Sequence, residues 1–325
     1  YFSGYKFFIS LLQNNLIIIT SNGHIQLLEN FNFSSIKKIG SNLKSFNIYD
    51  ILDIEIIKDN LYISFVTRQN NDPKCQSIQL VKATVNTKEL NFENFFKIEK
   101  CIIGEAAGRI VHYFLNDLEG ILFSTGAVQK ESYLAQDNNS LYGKILFIDF
   151  DKQNAQIISK GHRNPQGLLV DKGVILSTEH GPYGGDEINR IILNGNYGWP
   201  ISSYGENYNF SSKILKDRND YIFKKSHSDL QYVEPIYSFV PSIGISEIIK
   251  VPNNFSKYWK NNYLITSLNG RSLYRVLFDE NYSKIIFSEK IPIGERIRDI
   301  KYNHHMNSFV LALEETVSIG LLKVN

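Results

Sequence analysis

Apolar residues along this chain fall into short runs paired about a brief polar turn. The unit reads Tyr5–Leu12, Gln13-Asn14-Asn15, Leu16–Thr20 at the start, and returns as Asp53–Ile57, Lys58-Asp59-Asn60, Leu61–Val66. It recurs as Arg109–Phe114 with Ile121–Thr125, then as Gly167–Val170, Asp171-Lys172-Gly173, Val174–Thr178. Ser246–Val251 with Tyr263–Ser267, and Asp299–Tyr302 with Phe309–Leu313, complete the series. Asn, Asp and Gly in the turns tolerate the backbone a tight hairpin needs. Between copies lie further strand-like runs: His24–Leu28, Gln76–Val85, Lys144–Asp149, Ser272–Phe278 and Ile285–Glu289. Six copies spaced roughly 40 to 80 residues apart, each with its followers, predict an all-β, six-bladed β-propeller of four-stranded antiparallel blades. A β-sandwich would not explain six similar hairpins, and the lack of a convincing amphipathic helix argues against α/β folds. The chain is expected to form one domain over residues 1–325. The Ser-, Asn- and Tyr-rich stretch 198–233 reads as an insertion over one face, between blades four and five.

Composition supports strands. Phe (21) and Tyr (19) abound, Met occurs once, and 43% of residues are apolar, enough for a full core. Net charge is +2 with both signs interspersed, which leaves no electrostatic footprint for nucleic acid. No window approaches 18 uninterrupted apolar residues, so no transmembrane helix is expected. Cys75 and Cys101 fall at the same end of two runs that would pair antiparallel. They are either unrelated buried thiols or a disulfide closing a loop of about 25 residues, worth roughly 3 kcal/mol. The disulfide would imply an oxidising compartment.

Candidate chemistry gathers between Gly161 and Tyr208. Glu179-His-Gly-Pro-Tyr-Gly-Gly-Asp-Glu187 combines three carboxylates with turns that free backbone carbonyls. From composition it is a solvated acidic turn; the sharper alternative is a site for a hard cation such as Ca²⁺, which takes mixed carboxylate and carbonyl oxygens. Arg163 and Asn164 set a guanidinium beside an amide, a pair suited to a carboxylate or carbonyl ligand. Arg296 and Arg298, two apart on an expected strand, point to one face. Two arginines there are costly unless they meet anions, supplied by a ligand or by Glu295 and Asp299.

The segments GHRNPQGL, STEHGPYGGDEINRI and NGNYGWPISSYGENY resemble the soluble glucose/sorbosone dehydrogenase family, which includes aldose sugar dehydrogenases that use pyrroloquinoline quinone. Weaker similarity extends over nearly the whole chain. The resemblance implies a six-bladed propeller in which Arg163, Asn164, Arg296 and Arg298 line the quinone site, the cofactor's three carboxylates answering the arginines. It implies that the Gly181 and Pro182 carbonyls hold a Ca²⁺ shared with the cofactor. A structural Ca²⁺ would use Glu187 and the Tyr197 carbonyl, with Asp186 nearby. It further implies oxidation of a sugar at its anomeric carbon, an electron acceptor as partner, and a periplasmic or extracellular location.

Some positions depart from that pattern. Where the family carries a basic histidine before a Gly-Arg pair, this chain has Gly104-Glu-Ala-Ala107 before Gly108-Arg109, so Glu105 is the replacement candidate for the base. A carboxylate near an anionic cofactor is repelled unless protonated. A cofactor-contacting lysine corresponds to Asn269, with Arg271 close by, and a glutamine expected in the second blade is missing from Tyr49–Asp53. The alternative function is therefore a catalytically inactive, calcium-stabilised propeller that binds a sugar, an anionic ligand or a protein partner.

Overall fold

The computed structural model describes residues 6–69, 72–102, 107–206 and 227–324. All six hairpins read from the sequence form, and each supplies the two innermost strands of a blade. They are Phe7–Leu12 with Asn15–Thr20, Ile48–Ile57 with Asn60–Gln69, and Ala107–Leu115 with Leu118–Thr125. Pro165–Asp171 with Val174–Glu179, Ile245–Lys250 with Tyr263–Ser267, and Ile297–Asn303 with Ser308–Leu313 follow. Four of these hairpins turn through two residues, the register running Leu12↔Asn15, Ile57↔Asn60, Leu115↔Leu118 and Asp171↔Val174. Gln13, Lys58, Asn116 and Lys172 adopt left-handed backbone there, as the twist of a tight hairpin requires. The protein is a six-bladed β-propeller.

The innermost strands touch one another around a closed ring, blade six meeting blade one. Second strands lie sandwiched between neighbouring blades, so both of their faces are apolar: Ile17, Ile18 and Ile19 are all buried. Six apolar cores among the described residues result, one at each blade junction, with Phe7, Ile9, Val310 and Ala312 packing at the closure. Polar bonds repeat the linkage. Asp53 Oδ2 accepts the Ile110 N–H (2.9 Å), and Asp299 Oδ2 accepts the Ile9 N–H (3.0 Å) across the closure.

Blade composition corrects the uniform four-strand expectation. Blades two, four and five have four strands, while the sixth has three among the described residues, ending in Ser318–Lys323. Blades one and three each gain a short parallel fifth strand, Glu89–Leu90 and Gly195–Asn196. The insertion is also placed differently from the sequence reading. It lies inside blade four, between Asp186–Ile191 and the closing strand Tyr237–Phe239, with 207–226 outside the described residues. A three-residue strand carries too little apolar pattern to be seen in the sequence.

Cys75 and Cys101 form a disulfide where the third strand of blade two, Asp72–Thr84, ends beside Ile102. The Asp72–Thr84 and Glu93–Lys97 strands pair antiparallel, the arrangement that brings both cysteines to one end. No helix among the described residues is long and apolar enough to cross a membrane.

At the axis, the Arg109 guanidinium lies 3.1 Å from both Asp53 and Glu247 and 3.9 Å from Asp299, all of them buried. Its remaining donors reach the Gln166 carbonyl (2.5 Å) and the Arg298 carbonyl (3.2 Å). Burial pushes Asp53 up to about 6 and Glu247 up to about 7, against the pull of Arg109. Because both folded-state values exceed the ordinary carboxylate range, the stability that protonation of these groups contributes is full only below about pH 4, declines as pH rises from there, and is lost once pH has passed 6 to 7. Removing Arg109 strands buried anions, so Arg109→Met is expected to lose about 3–5 kcal/mol in urea denaturation at pH 8. The loss should shrink at pH 5, where the carboxyls take protons; a pH-independent loss would contradict the assignment.

Candidate functional site

The first residues of the innermost strands converge on one mouth of the axial channel. A cavity of about 250 Å³ opens there, lined by Lys6, Asp50, Asn164, His180, Arg296 and Arg298. Leu52, Ala107 and Leu268 supply its apolar wall. The opposite mouth, about 420 Å³, is lined by later positions on the same strands, including Glu55 and Lys301, paired at 2.6 Å. Arg109 and its carboxylates separate the two.

Arg296 and Arg298 flank Ile297 and present their side chains to one face, as period-two spacing requires. Their partner is Glu314, from the far end of the same hairpin: Arg298 Nε donates at 2.6 Å and Arg296 Nε at 3.3 Å. Of the two anion sources read from the sequence, a ligand or Glu295 with Asp299, the second is not the one found. Asp299 is spent on backbone N–H groups and Arg109, and Glu295 accepts from the Thr316 N–H. Gln166 also meets Arg298, at 3.5 Å, and donates to Asn164 Oδ1 at 2.9 Å. The arginine pair, Asn164 and Gln166 thus form one connected polar wall.

Lys6 completes the cavity from blade one and was not singled out in the sequence. Its ammonium bonds Asp50 at 2.7 Å. Burial, with help from Arg298, pulls its pKa down, while Asp50 opposes the shift. Nothing in the sequence around Lys6 marks it, because its relation to Arg298 exists only once the ring closes.

Behind this cavity lies the acidic turn. Glu179 ends the second strand of blade four, and its cross-strand partner is Glu187. They share a void of about 10 Å³, also lined by Arg163, Gly181, Pro182 and Tyr197. That is the room of a single water or small ion. Burial pushes Glu187 up to about 8, and the Glu179 charge adds to the rise. Asn189 Nδ2 is its hydrogen-bond donor, at 3.1 Å. The turn is folded tightly: a Cβ on Gly181 would overlap the Gly184 and Gly185 carbonyls. Asp186 pins it, accepting from Gly181 N–H (3.1 Å), Ser242 Oγ (2.6 Å), Ile243 N–H (3.0 Å) and Ile245 N–H (2.9 Å). It is committed to that role and does not line the void.

Two buried carboxylates facing one another beside freed carbonyls match the donor set of a hard cation, which would remove their repulsion. No group of three or more Asp, Glu, His or Cys side chains gathers as metal ligands among the described residues. A cation here would therefore rely on backbone oxygens in addition to Glu179 and Glu187. The Tyr197 carbonyl already accepts from His227 Nε2 at 3.0 Å and has one lone pair left for such a role.

Glu179 is itself held by a buried chain. Ser159 Oγ meets His162 Nε2 at 2.8 Å, and His162 Nδ1 meets Glu179 Oε2 at 2.9 Å, with the ring stacked on Tyr197. Glu179 Oε1 accepts the Arg163 and Asn164 N–H groups, which fixes the turn that presents both side chains. Asn164 enters the cavity of about 250 Å³. Arg163 lines the neighbouring void, donates to the His180 carbonyl at 3.1 Å and lies over Trp199.

The sequence profile of the Glucose / Sorbosone dehydrogenase family matches residues 14–319. This chain belongs to the glucose/sorbosone dehydrogenase family. Over 235 residues it is 27% identical to an aldose sugar dehydrogenase of Escherichia coli K12, covering 67% of this chain and 59% of that protein. The chain spans about half the length of the curated relatives it matches, between 46% and 59%. A crystal structure of a glucose dehydrogenase superimposes with TM-score 0.78 at 21% identity, covering 99% of this chain and 96% of that one. An aldose sugar dehydrogenase of Streptomyces coelicolor, solved with pyrroloquinoline quinone bound, gives 0.69 at 16% identity over 97% and 90% of the two chains. These superpositions bear on the fold.

Against the site residues read from the sequence, this family member brings Asn164, Arg296 and Arg298 into one cavity and Arg163, Gly181, Pro182, Glu187 and Tyr197 around the adjoining void. Asn269 is exposed at the end of a blade-five strand, and exposed Arg271 pairs with Glu315 at 2.7 Å. Glu105 lies outside the described residues. Sequence reasoning placed Glu179 in the acidic turn but not among the ligands; its cross-strand pairing with Glu187 is what brings it in. Because His162 bridges Ser159 and Glu179 without contact to solvent, His162→Ala is expected to cost about 3 kcal/mol in chemical denaturation. A change below about 1 kcal/mol would show that the chain does not hold the turn.

Proposed function

We propose that this family member is a quinone-dependent aldose sugar dehydrogenase, with pyrroloquinoline quinone at the Lys6–Arg298 mouth and Ca²⁺ at the acidic turn. The observation that carries this reading is the convergence of Arg296, Arg298, Lys6 and Asn164 on one cavity of about 250 Å³. A planar ligand bearing several carboxylates meets two guanidinium forks and an ammonium there. When bound, the quinone supplies the hydride acceptor for oxidation of an anomeric carbon. The chain's own contribution is placement and charge. Glu314 and Gln166 hold Arg298 in a fixed orientation, Asn164 offers an amide on the same wall, and the apolar residues Leu52 and Leu268 limit water. Carbonyls of Gly181 and Pro182, with Glu187 and Glu179, would hold the cation beside it. Glu105 is assigned to take the proton of the anomeric hydroxyl. An external electron acceptor is required for turnover, and the Cys75–Cys101 disulfide supports a periplasmic or extracellular site of action.

A second reading follows from Glu314. Because it already meets both arginines, the cavity is partly charge-balanced without a ligand, as suits a silent propeller that binds a sugar, an anion or a protein partner. Calorimetry separates the two. Quinone should bind wild type in the micromolar range or tighter with Ca²⁺ present, and Arg298→Gln should weaken it about 10- to 100-fold. Absence of heat with wild type would favour the silent propeller.

Two further outcomes are expected. Ca²⁺ should raise the melting temperature, an effect removed by chelation and by Glu187→Gln; equal melting with and without Ca²⁺ would withdraw the metal. After reconstitution, dye-linked oxidation across a panel of aldoses should be detectable and should vanish in Glu105→Gln. An unaffected rate would clear Glu105.

A further inference from the structure

We infer that Lys6 is a ligand-binding residue of the axial cavity, donating its ammonium to a carboxylate of the bound anion and not serving only as the partner of Asp50. The inference rests on the quinone reading for the identity of the anion, but its argument comes from the geometry of blades one and six.

Lys6 immediately precedes the first strand of blade one, and Arg296 and Arg298 open the first strand of blade six. These are neighbours across the ring closure, held in register by the Ile9 N–H on Asp299. The closure therefore sets Lys6 in one cavity with the arginines, where burial and, to a lesser degree, the Arg298 charge work against its protonation while Asp50 favours it. Three cationic side chains line the cavity, opposed by Asp50 and Glu314, and Glu314 is shared between two of them. Gathering like charges at one mouth is unfavourable unless an anion relieves it.

Ammonium geometry points the same way. Asp50 takes one of the three N–H donors, and the side chain keeps 24% of its surface open. Asp50 is more exposed still, at 32%, and sits where the register of the blade-two strand shifts between Ile48 and Asp50. Such a pair, with solvent access on the cavity side, can turn a donor to an incoming carboxylate while keeping its original bond. From the blade-five side the wall offers Leu268, since Asn269 and Arg271 are turned to solvent. The third cation of the cavity thus comes from blade one.

Titration calorimetry with pyrroloquinoline quinone, and separately with trimesate as a small aromatic tricarboxylate, tests this on the full chain with Ca²⁺ present. Lys6→Gln is expected to weaken binding about 10- to 100-fold, and Lys6→Arg to recover most of it. Asp50→Asn, which leaves the ammonium without its carboxylate, should bind more tightly than wild type. Melting temperatures identify folded variants, and should Lys6→Gln not fold, the Lys6→Arg and Asp50→Asn affinities decide. A folded Lys6→Gln protein that binds both probes as wild type does would overturn the inference. So would Asp50→Asn binding weaker than wild type. If wild type binds trimesate but not the quinone, the cofactor reading fails while Lys6 is still judged by trimesate. If it binds neither, both fall.

Discussion

The buried guanidinium of Arg109 is the constraint on which the rest of the ring depends. A propeller axis is lined by the polar edges of inner strands, and the carboxylates that tie one blade to the next must lie close together there. Asp53 and Asp299 each accept a backbone N–H from the following blade, and Glu247 closes on its own strand through the Ile248 N–H. Three acids in so small a space would repel one another. Arg109 meets all three and also reaches the carbonyls of Gln166 and Arg298. It ties the Gln166 and Arg298 backbone beneath the arginine cavity to the inter-blade links, so the arginine wall and the stability of the ring are not independent.

The acidic turn shows the same economy. Asp186 and Glu187 are adjacent in sequence but have divergent tasks. Alternation along a strand sends one toward Ser242 and the Ile243–Ile245 backbone, and the other toward Glu179. One carboxylate is saturated by donors and acts as a structural staple. The other is under-satisfied and raised to about 8, which marks it as the group with capacity for a ligand. Family membership alone does not separate these roles.

Much of the fold was legible because its signal is local. Two-residue turns and paired apolar runs specify each hairpin, and their sixfold recurrence specifies the ring. What was not legible depends on contacts remote in sequence. Glu314 as partner of both arginines, Lys6 at the closure and Glu179 opposite Glu187 are all products of strand pairing or ring closure. The extent of blade four was misplaced because its last strand, Tyr237–Phe239, is short and distant from the third. The Arg163–Asn164 pair was legible in the sequence, yet of the two only Asn164 lines the larger cavity. Arg163 is drawn aside by the His180 carbonyl and the Trp199 ring.

The two parallel strand additions have a consequence for how the ring comes apart. Glu89–Leu90 leaves blade two to pair with the outer strand of blade one, and Gly195–Asn196 leaves blade four to pair with that of blade three. Each is a stitch from a later blade onto the preceding one. Blades one and two, and likewise three and four, are therefore coupled by a shared strand at their rims as well as at the axis, whereas among the described residues five and six share no strand and meet through their core, the Ser246–Arg298 hydrogen bond and the Arg271–Glu315 pair. Opening fluctuations of the outer strands should respect that grouping, with amide exchange proceeding in pairs of blades before any single blade is released.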